Sequence, residues 1–158
     1  MRSLLKQAAS ILWEFKRFFG FFFRSGQELW KSGWKRRNAR YARYYHYLKI
    51  NENLVFFEAF LGRGMLCGPY ALFREMLNDP YYKRFKYVWV LDDFKYHRDL
   101  MQRYHGCKNV KFVKYMSRQY LKELCRAKYL VNNTTFASFF TKREGQVYIN
   151  TWHGIPLK

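Results

Sequence analysis

Acidic residues are scarce in this chain: 11 Asp and Glu stand against 30 Lys and Arg in 158 residues, a formal net charge of +19. Such a balance repels like molecules and favours a polyanionic partner, whether nucleic acid, anionic lipid or a phosphate-rich substrate. Gly and Pro are also few, 9 and 3, and with 49% hydrophobic residues wholesale disorder is excluded. Cysteine is limited to Cys67, Cys107 and Cys125. An odd number without a C-x-x-C pair supports neither a disulfide framework nor a zinc knuckle, and reads as ordinary buried or half-buried thiols in a reducing cytoplasm. Asn132 and Asn133 head N-x-T triplets, short patterns that recur by chance and fall here at an expected buried strand end. What is abundant is aromatic: 16 Phe, 14 Tyr and 5 Trp, enough for the buried core of one domain.

The charge is uneven. Residues 1–50 carry 12 basic and 2 acidic residues, whereas the remaining 108 carry 18 and 9. Between Leu4 and Phe23, Ala8, Leu12, Phe15, Phe18, Phe19, Phe22 and Phe23 recur at helical spacing, with Lys6, Glu14 and Arg17 largely between them. This pattern predicts an amphipathic helix. Its longest uncharged stretches, Gln7 to Trp13 and Phe18 to Phe23, fall far short of the roughly 20 apolar residues of a spanning helix, and Lys16 and Arg17 interrupt any signal-peptide core. Further on, Trp30, Trp34, Tyr41, Tyr44, Tyr45 and Leu48 interleave with Lys31, Lys35, Arg36, Arg37, Arg40 and Arg43. Amphipathic rings settle at headgroup level and each cation near an anionic surface contributes about 1 kcal/mol. A membrane-surface helix is the first reading, an aromatic face packed on the domain the second, and a nucleic-acid arm the third.

After Asn53 the period changes. Short apolar runs at Leu54 to Phe60, Lys86 to Leu91, Asn109 to Tyr115, Tyr129 to Asn132 and Gln146 to Thr151 read as strands. Helical patterns alternate with them at Pro69 to Leu77, Tyr96 to Tyr104 and Ser117 to Ala127, with Ser117 as N-cap and Tyr120, Leu121, Leu124 and Cys125 as the apolar stripe. This alternation predicts an α/β, Rossmann-like parallel sheet covered on both faces. Ligands of such sheets bind beyond the carboxyl ends of the strands, so Gly62 to Gly64, Asp92-Asp93, Asn132-Asn133 and His153-Gly154 are the informative positions. Gly62-Arg63-Gly64 lacks the full dinucleotide fingerprint and reads as a tight turn. No metal or other cofactor is expected, because His97, His105 and Cys107 form no zinc spacing. His153 is placed to meet a substrate, since a histidine at a strand end can accept a proton near neutral pH, although a lone histidine taken in isolation is more often structural.

The ending Thr151-Trp152-His153-Gly154-Ile155-Pro156-Leu157-Lys158 resembles the T-W-H-G-T-P-L-K signature of the CDP-glycerol glycerophosphotransferases. The stretches FFEAF, GPYALFREMLNDP, FKYVWVLDD, AKYLVNN and KREGQVYINTWHG are similar to that family in order and spacing, over roughly residues 52–158. The resemblance implies the N-terminal half of a GT-B architecture, in which glycerol phosphate passes from CDP-glycerol to a hydroxyl of a membrane-linked teichoic acid or capsular acceptor. By that resemblance His153 is the general base, Gly154 and Lys158 meet substrate, and CDP-glycerol is held mainly by a further domain. Residues 1–50 would seat the protein peripherally on the cytoplasmic face of the bacterial membrane, through Leu12, Phe15, Lys16, Arg17, Phe18, Phe19, Phe22, Trp30, Trp34, Lys35, Arg36 and Arg37. Residues 51–158 would form the acceptor-side domain, with a lipid-linked polyol phosphate and an anionic membrane as partners and no specific nucleic acid. The chain ends inside the signature, so it is expected to be an N-terminal portion, inactive alone. Ile155 stands where the family usually has Thr, and residues 63–67 also depart from the family's first loop. A non-catalytic membrane-surface fragment, or a basic nucleic-acid-binding module, are the competing readings.

Overall fold

A computed structural model describes Lys16, Phe19, Gly20, Gly26 and residues 32–153. The helix expected over Leu4 to Phe23 therefore lies almost entirely outside the described residues. Contacts divide the chain into two units, residues 1–39 and 40–158. Helix α1 (Gly33–Tyr47) leads into strand β1 (Asn51–Glu58). There follow α2 (Cys67–Asn78), β2 (Lys86–Leu91), α3 (Arg98–Arg103), β3 (Val110–Lys114), α4 (Arg118–Arg126), β4 (Ala127–Asn132) and β5 (Val147–Asn150). The five strands form one sheet in the order β3-β2-β1-β4-β5, and every pairing is parallel. The α/β expectation holds, with element ends shifted by up to three residues.

Alternation within the apolar runs explains why both sheet faces are buried. Leu54, Phe56, Val88, Val90 and Leu130 point into one core with Tyr120, Leu121 and Leu124 of α4. Val55, Phe57, Tyr87, Trp89 and Val131 point into the other, against Phe73 of α2. In the central strands the apolar residues thus have an apolar environment whichever way they point, and the period-2 signal disappears there, whereas Val147 and Ile149 of the edge strand β5 are exposed. Phe57 and Trp89, partners in register across β1 and β2, stack with centroids 5.1 Å apart.

Helix α4 shows how local chemistry sets its limits. The Ser117 hydroxyl accepts from Tyr120 N at 3.1 Å, which caps the first turn as expected. At the other end the Gln146 side chain donates to Leu124 O at 2.9 Å and Ala127 O at 2.7 Å, while Arg143 Nη1 donates to Cys125 O at 2.7 Å. The final carbonyls of α4 are therefore satisfied by a distant segment.

The second half of α1 follows the packing alternative. Tyr41 is buried, Tyr44, Tyr45 and Leu48 pack against the same core as α4, and the Tyr41 hydroxyl donates to Thr141 O at 2.9 Å while accepting from Thr141 N at 3.2 Å. Among the thiols, Cys125 is buried and Cys107 half-buried, but Cys67 is exposed, because it opens α2 at the sheet edge rather than facing a core.

Candidate functional site

The connections after the strands gather at one edge of the sheet. Chain order reverses between β1 and β4, so the crevice beyond these two strands is the topological switch point. Gly62, at φ +93°, lies so close to β2 that a Cβ there would sit 2.8 Å from Asp92 N. Its carbonyl accepts from that same nitrogen at 2.8 Å. A side chain is excluded by both conformation and space. Phe60 N donates to Asn133 Oδ1 at 3.0 Å, tying the loop after β1 to the end of β4. On the β2 side, Asp92 Oδ1 lies 3.0 Å from His97 Nε2, and amide donors of Lys95 and Tyr96 hold the Asp93 carboxyl below its usual pKa.

The segment bearing His153 is fastened to the same edge. Thr151 N donates to Asn132 O at 2.8 Å, Asn150 Nδ2 donates to Thr134 O at 2.8 Å, and Trp152 N donates to Asn150 Oδ1 at 2.9 Å. The Tyr148 hydroxyl completes the lattice by donating to Asn132 Oδ1 at 2.9 Å. Gly68 admits the segment from the α2 side, since a Cβ there would meet the Thr151 side chain at 2.7 Å. His153 emerges exposed, its ring 5.1 Å from that of Phe60. Phe60, Leu61 and Trp152 all have positive φ. Left-handed non-glycine residues cost about 1 to 3 kcal/mol each and concentrate where a loop geometry is being enforced.

Beneath this edge lies a residue that the sequence reading absorbed into an apolar run. Glu58, last in β1, is fully buried, and neither carboxyl oxygen has a hydrogen bond of standard geometry. Burial pushes its pKa up from 4.5 to about 7, while the nearby Tyr120 hydroxyl lowers it in part. Asn132 Nδ2, Asn133 Nδ2 and Thr134 Oγ1 are likewise buried without partners. Native proteins seldom leave so many orphaned polar atoms together, and those they leave cluster at functional sites. A carboxylate inside FFEAF was the available signal, since an isolated charge in a two-sided strand has no solvent face to occupy.

The other proposed site residues divide by position. Gly154 and Lys158 lie outside the described residues, as do Leu12, Phe15, Arg17, Phe18, Phe22 and Trp30. Lys16, Phe19, Trp34, Lys35 and Arg36 are exposed, while Arg37 is half-buried with its guanidinium 5.8 Å from the Trp34 ring centroid. Among the described residues no helix is long and apolar enough to cross a membrane, and no cluster of His, Cys, Asp or Glu could hold a metal ion.

A teichoic acid poly(glycerol phosphate) polymerase of Bacillus spizizenii is 30% identical over 111 residues, covering 70% of this chain and 27% of the relative. A teichoic acid glycerol-phosphate transferase of Staphylococcus aureus is 31% identical over 108 residues, 68% of this chain and 25% of the relative. The chain therefore spans about a quarter of the length of either. A solved structure of the wall teichoic acid polymerase TagF superposes with a TM-score of 0.61 at 26% identity, over 86% of this chain and 32% of that one. A histidine variant of the same polymerase soaked with CDPG gives 0.63 at 25% identity, with the same coverage. Residues 40–158, which include the whole sheet and the His153 segment, match the family described as CDP-Glycerol:Poly(glycerophosphate) glycerophosphotransferase, and the chain belongs to that family.

Proposed function

We propose that this chain is the acceptor-side portion of an enzyme that transfers glycerol phosphate from CDP-glycerol to the terminal hydroxyl of a membrane-linked poly(glycerol phosphate) or related acceptor. The observation that carries the reading is His153: an exposed imidazole on a segment pinned across the switch point of a sheet belonging to a glycerophosphotransferase family. In the transfer, the imidazole takes the proton of the acceptor hydroxyl as its oxygen forms a bond to the phosphorus bearing glycerol. The bond from that phosphorus to the bridging oxygen breaks, and CMP departs with the electron pair. The chain contributes the base and its placement. Nucleotide binding and charge neutralisation at the diphosphate, on which phosphoryl transfer depends, would come mainly from the remaining length of such an enzyme.

The membrane-facing arm fits the residues before Arg40, where Phe19, Trp34, Lys35 and Arg36 are exposed. The arm would hold the protein peripherally at an anionic surface, on the cytoplasmic side where CDP-glycerol is available, beside a lipid-linked acceptor. A nucleic-acid role has no such support, because the sheet edge presents no base-reading motif.

The test uses a polypeptide that carries the remaining length of the family. His153→Ala should lower turnover per folded molecule by roughly 10²- to 10⁴-fold while nucleotide affinity and melting temperature stay close to wild type. Near-normal turnover with a lowered melting temperature would make His153 a packing residue and remove the catalytic assignment.

A further inference from the structure

At the amino ends of the strands, opposite the His153 edge, the surface holds a recess of about 280 Å³. It is framed by Asn51 at the start of β1, Lys86 at the start of β2, Lys108 and Asn109 just before β3, Lys111 of β3 and Arg126 at the end of α4. Four cationic side chains thus line one recess together with a single carboxylate, that of Glu123. Glu123 is buried and already engaged: Lys111 Nζ lies 2.9 Å from Oε1, Arg126 Nη1 lies 3.4 Å from Oε2, and Gln119 Nε2 donates to Oε1 at 2.6 Å. The carboxylate fixes Lys111 and Arg126 without neutralising the group. Lys86 and Lys108 are exposed and form no ion pair among the described residues.

We infer that this recess is a second, non-catalytic binding site for phosphodiester groups of a poly(glycerol phosphate) chain. The identity of the polymer rests on the proposed function; the anion preference rests on the recess itself. Its chemistry excludes two other common polyanions. Nucleic acid is held by rings that stack on bases, yet the one ring lining the recess, Tyr87, is fully buried. A membrane contact presents protruding apolar or aromatic groups, and none of the exposed large hydrophobic side chains belongs to this concavity. What remains is an open, cationic, amide-bearing hollow suited to phosphates joined by small polyols. The six residues of β2 set it about 20 Å from the opposite edge. A phosphate held there is remote from the transferred group and would anchor a polymer rather than react.

The experiment measures binding of a short labelled glycerol phosphate oligomer to the full 158-residue chain by fluorescence anisotropy across a salt series. The double variant Lys86→Gln/Lys108→Gln should bind about tenfold or more weakly, with a shallower salt dependence. Arg74→Gln/Arg103→Gln removes the same charge from exposed positions outside the recess and should bind as wild type does. Equal loss in both variants, or no loss in the first, would overturn the inference by reducing the effect to net charge or nothing. Vesicles of phosphatidylglycerol and phosphatidylcholine serve as the second probe. If Lys86→Gln/Lys108→Gln loses vesicle binding and keeps oligomer binding, the recess is a lipid contact and the inference fails. The proposed catalytic function is judged separately: normal transfer by His153→Ala sinks that reading and leaves this anion site standing, whereas unaltered oligomer binding by the lysine variant does the reverse.

Discussion

Glu58 illustrates how much one side chain can hide in a strand. Its carboxyl titrates near 7 in the folded protein because burial penalises the charged form, against 4.5 ordinarily. Below about pH 4.5 the group is protonated in both folded and unfolded chains and contributes no pH dependence. Between 4.5 and 7 the unfolded chain releases the proton while the folded chain retains it, so stability falls as pH rises, and above 7 the full penalty of about 3 kcal/mol is present. Glu58→Gln should erase this component. Urea unfolding from pH 4 to pH 8 should show the gap between wild type and variant shifting by up to about 3 kcal/mol in the variant's favour. A gap that stays constant across that range would mean that Glu58 has an ordinary pKa and a compensating partner. The slope, rather than the absolute difference, is the readout, because the new amide is itself buried and costs about 1 to 3 kcal/mol if unpaired.

Among the elements, α1 carries two kinds of residue on one helix. Tyr41 is 4% exposed and bonded twice to the Thr141 backbone, whereas Tyr47, six residues later, is 82% exposed. Tyr41→Phe should cost about 1 kcal/mol by removing the hydroxyl that bonds the Thr141 N–H and C=O, while Tyr47→Ser should change stability by less than about 0.5 kcal/mol. Chemical denaturation of both variants checks the pair, and equal effects would show that Tyr41 does not anchor the helix. The sequence reading grouped Tyr41 with Tyr44, Tyr45 and Leu48 and left Tyr47 out of that face, but it ranked a membrane surface above packing on the domain for the group. By contrast β2 was legible to the residue, because Lys86 and Asp92-Asp93 bracket an apolar run, and the start of α4 was legible because Ser117 caps it with its own side chain. Local chemistry is written locally. The ends that misled, such as β4 beginning at Ala127 rather than Tyr129, are set by sheet pairing with Asn51, and the Gln146 cap on α4 comes from twenty residues downstream. The same division holds at the candidate site: His153 was proposed from its motif, while Glu58 and the orphaned amides of Asn132 and Asn133 became visible once β1 and β4 were adjacent.

For the whole molecule, the location of the charge suggests how to separate binding to a membrane from folding. Residues 1–50 hold 12 of the 30 basic residues, yet Tyr41, Tyr44, Tyr45 and Leu48 of that segment cover the core. Removing residues 1–48 would therefore uncover Phe136 and Phe139 as well as discard basic residues, and any loss of vesicle binding would be confounded by unfolding. Removal of residues 1–31 leaves Tyr41 and its hydrogen bonds in place while taking away Leu12, Phe15, Phe18, Phe19, Phe22 and Trp30. That variant should keep its cooperative unfolding and lose most of its binding to vesicles containing anionic lipid. In the intact chain, binding should fall as salt rises, by the electrostatic contribution of about 1 kcal/mol per engaged cation, and leave a salt-resistant remainder from the apolar stripe. The double variant Lys35→Gln/Arg36→Gln should reduce the salt-sensitive part alone, because both side chains are exposed. Undiminished vesicle binding after removal of residues 1–31 would move the membrane surface onto the folded domain, and equal affinity for neutral and anionic vesicles would leave the basic residues without a role there.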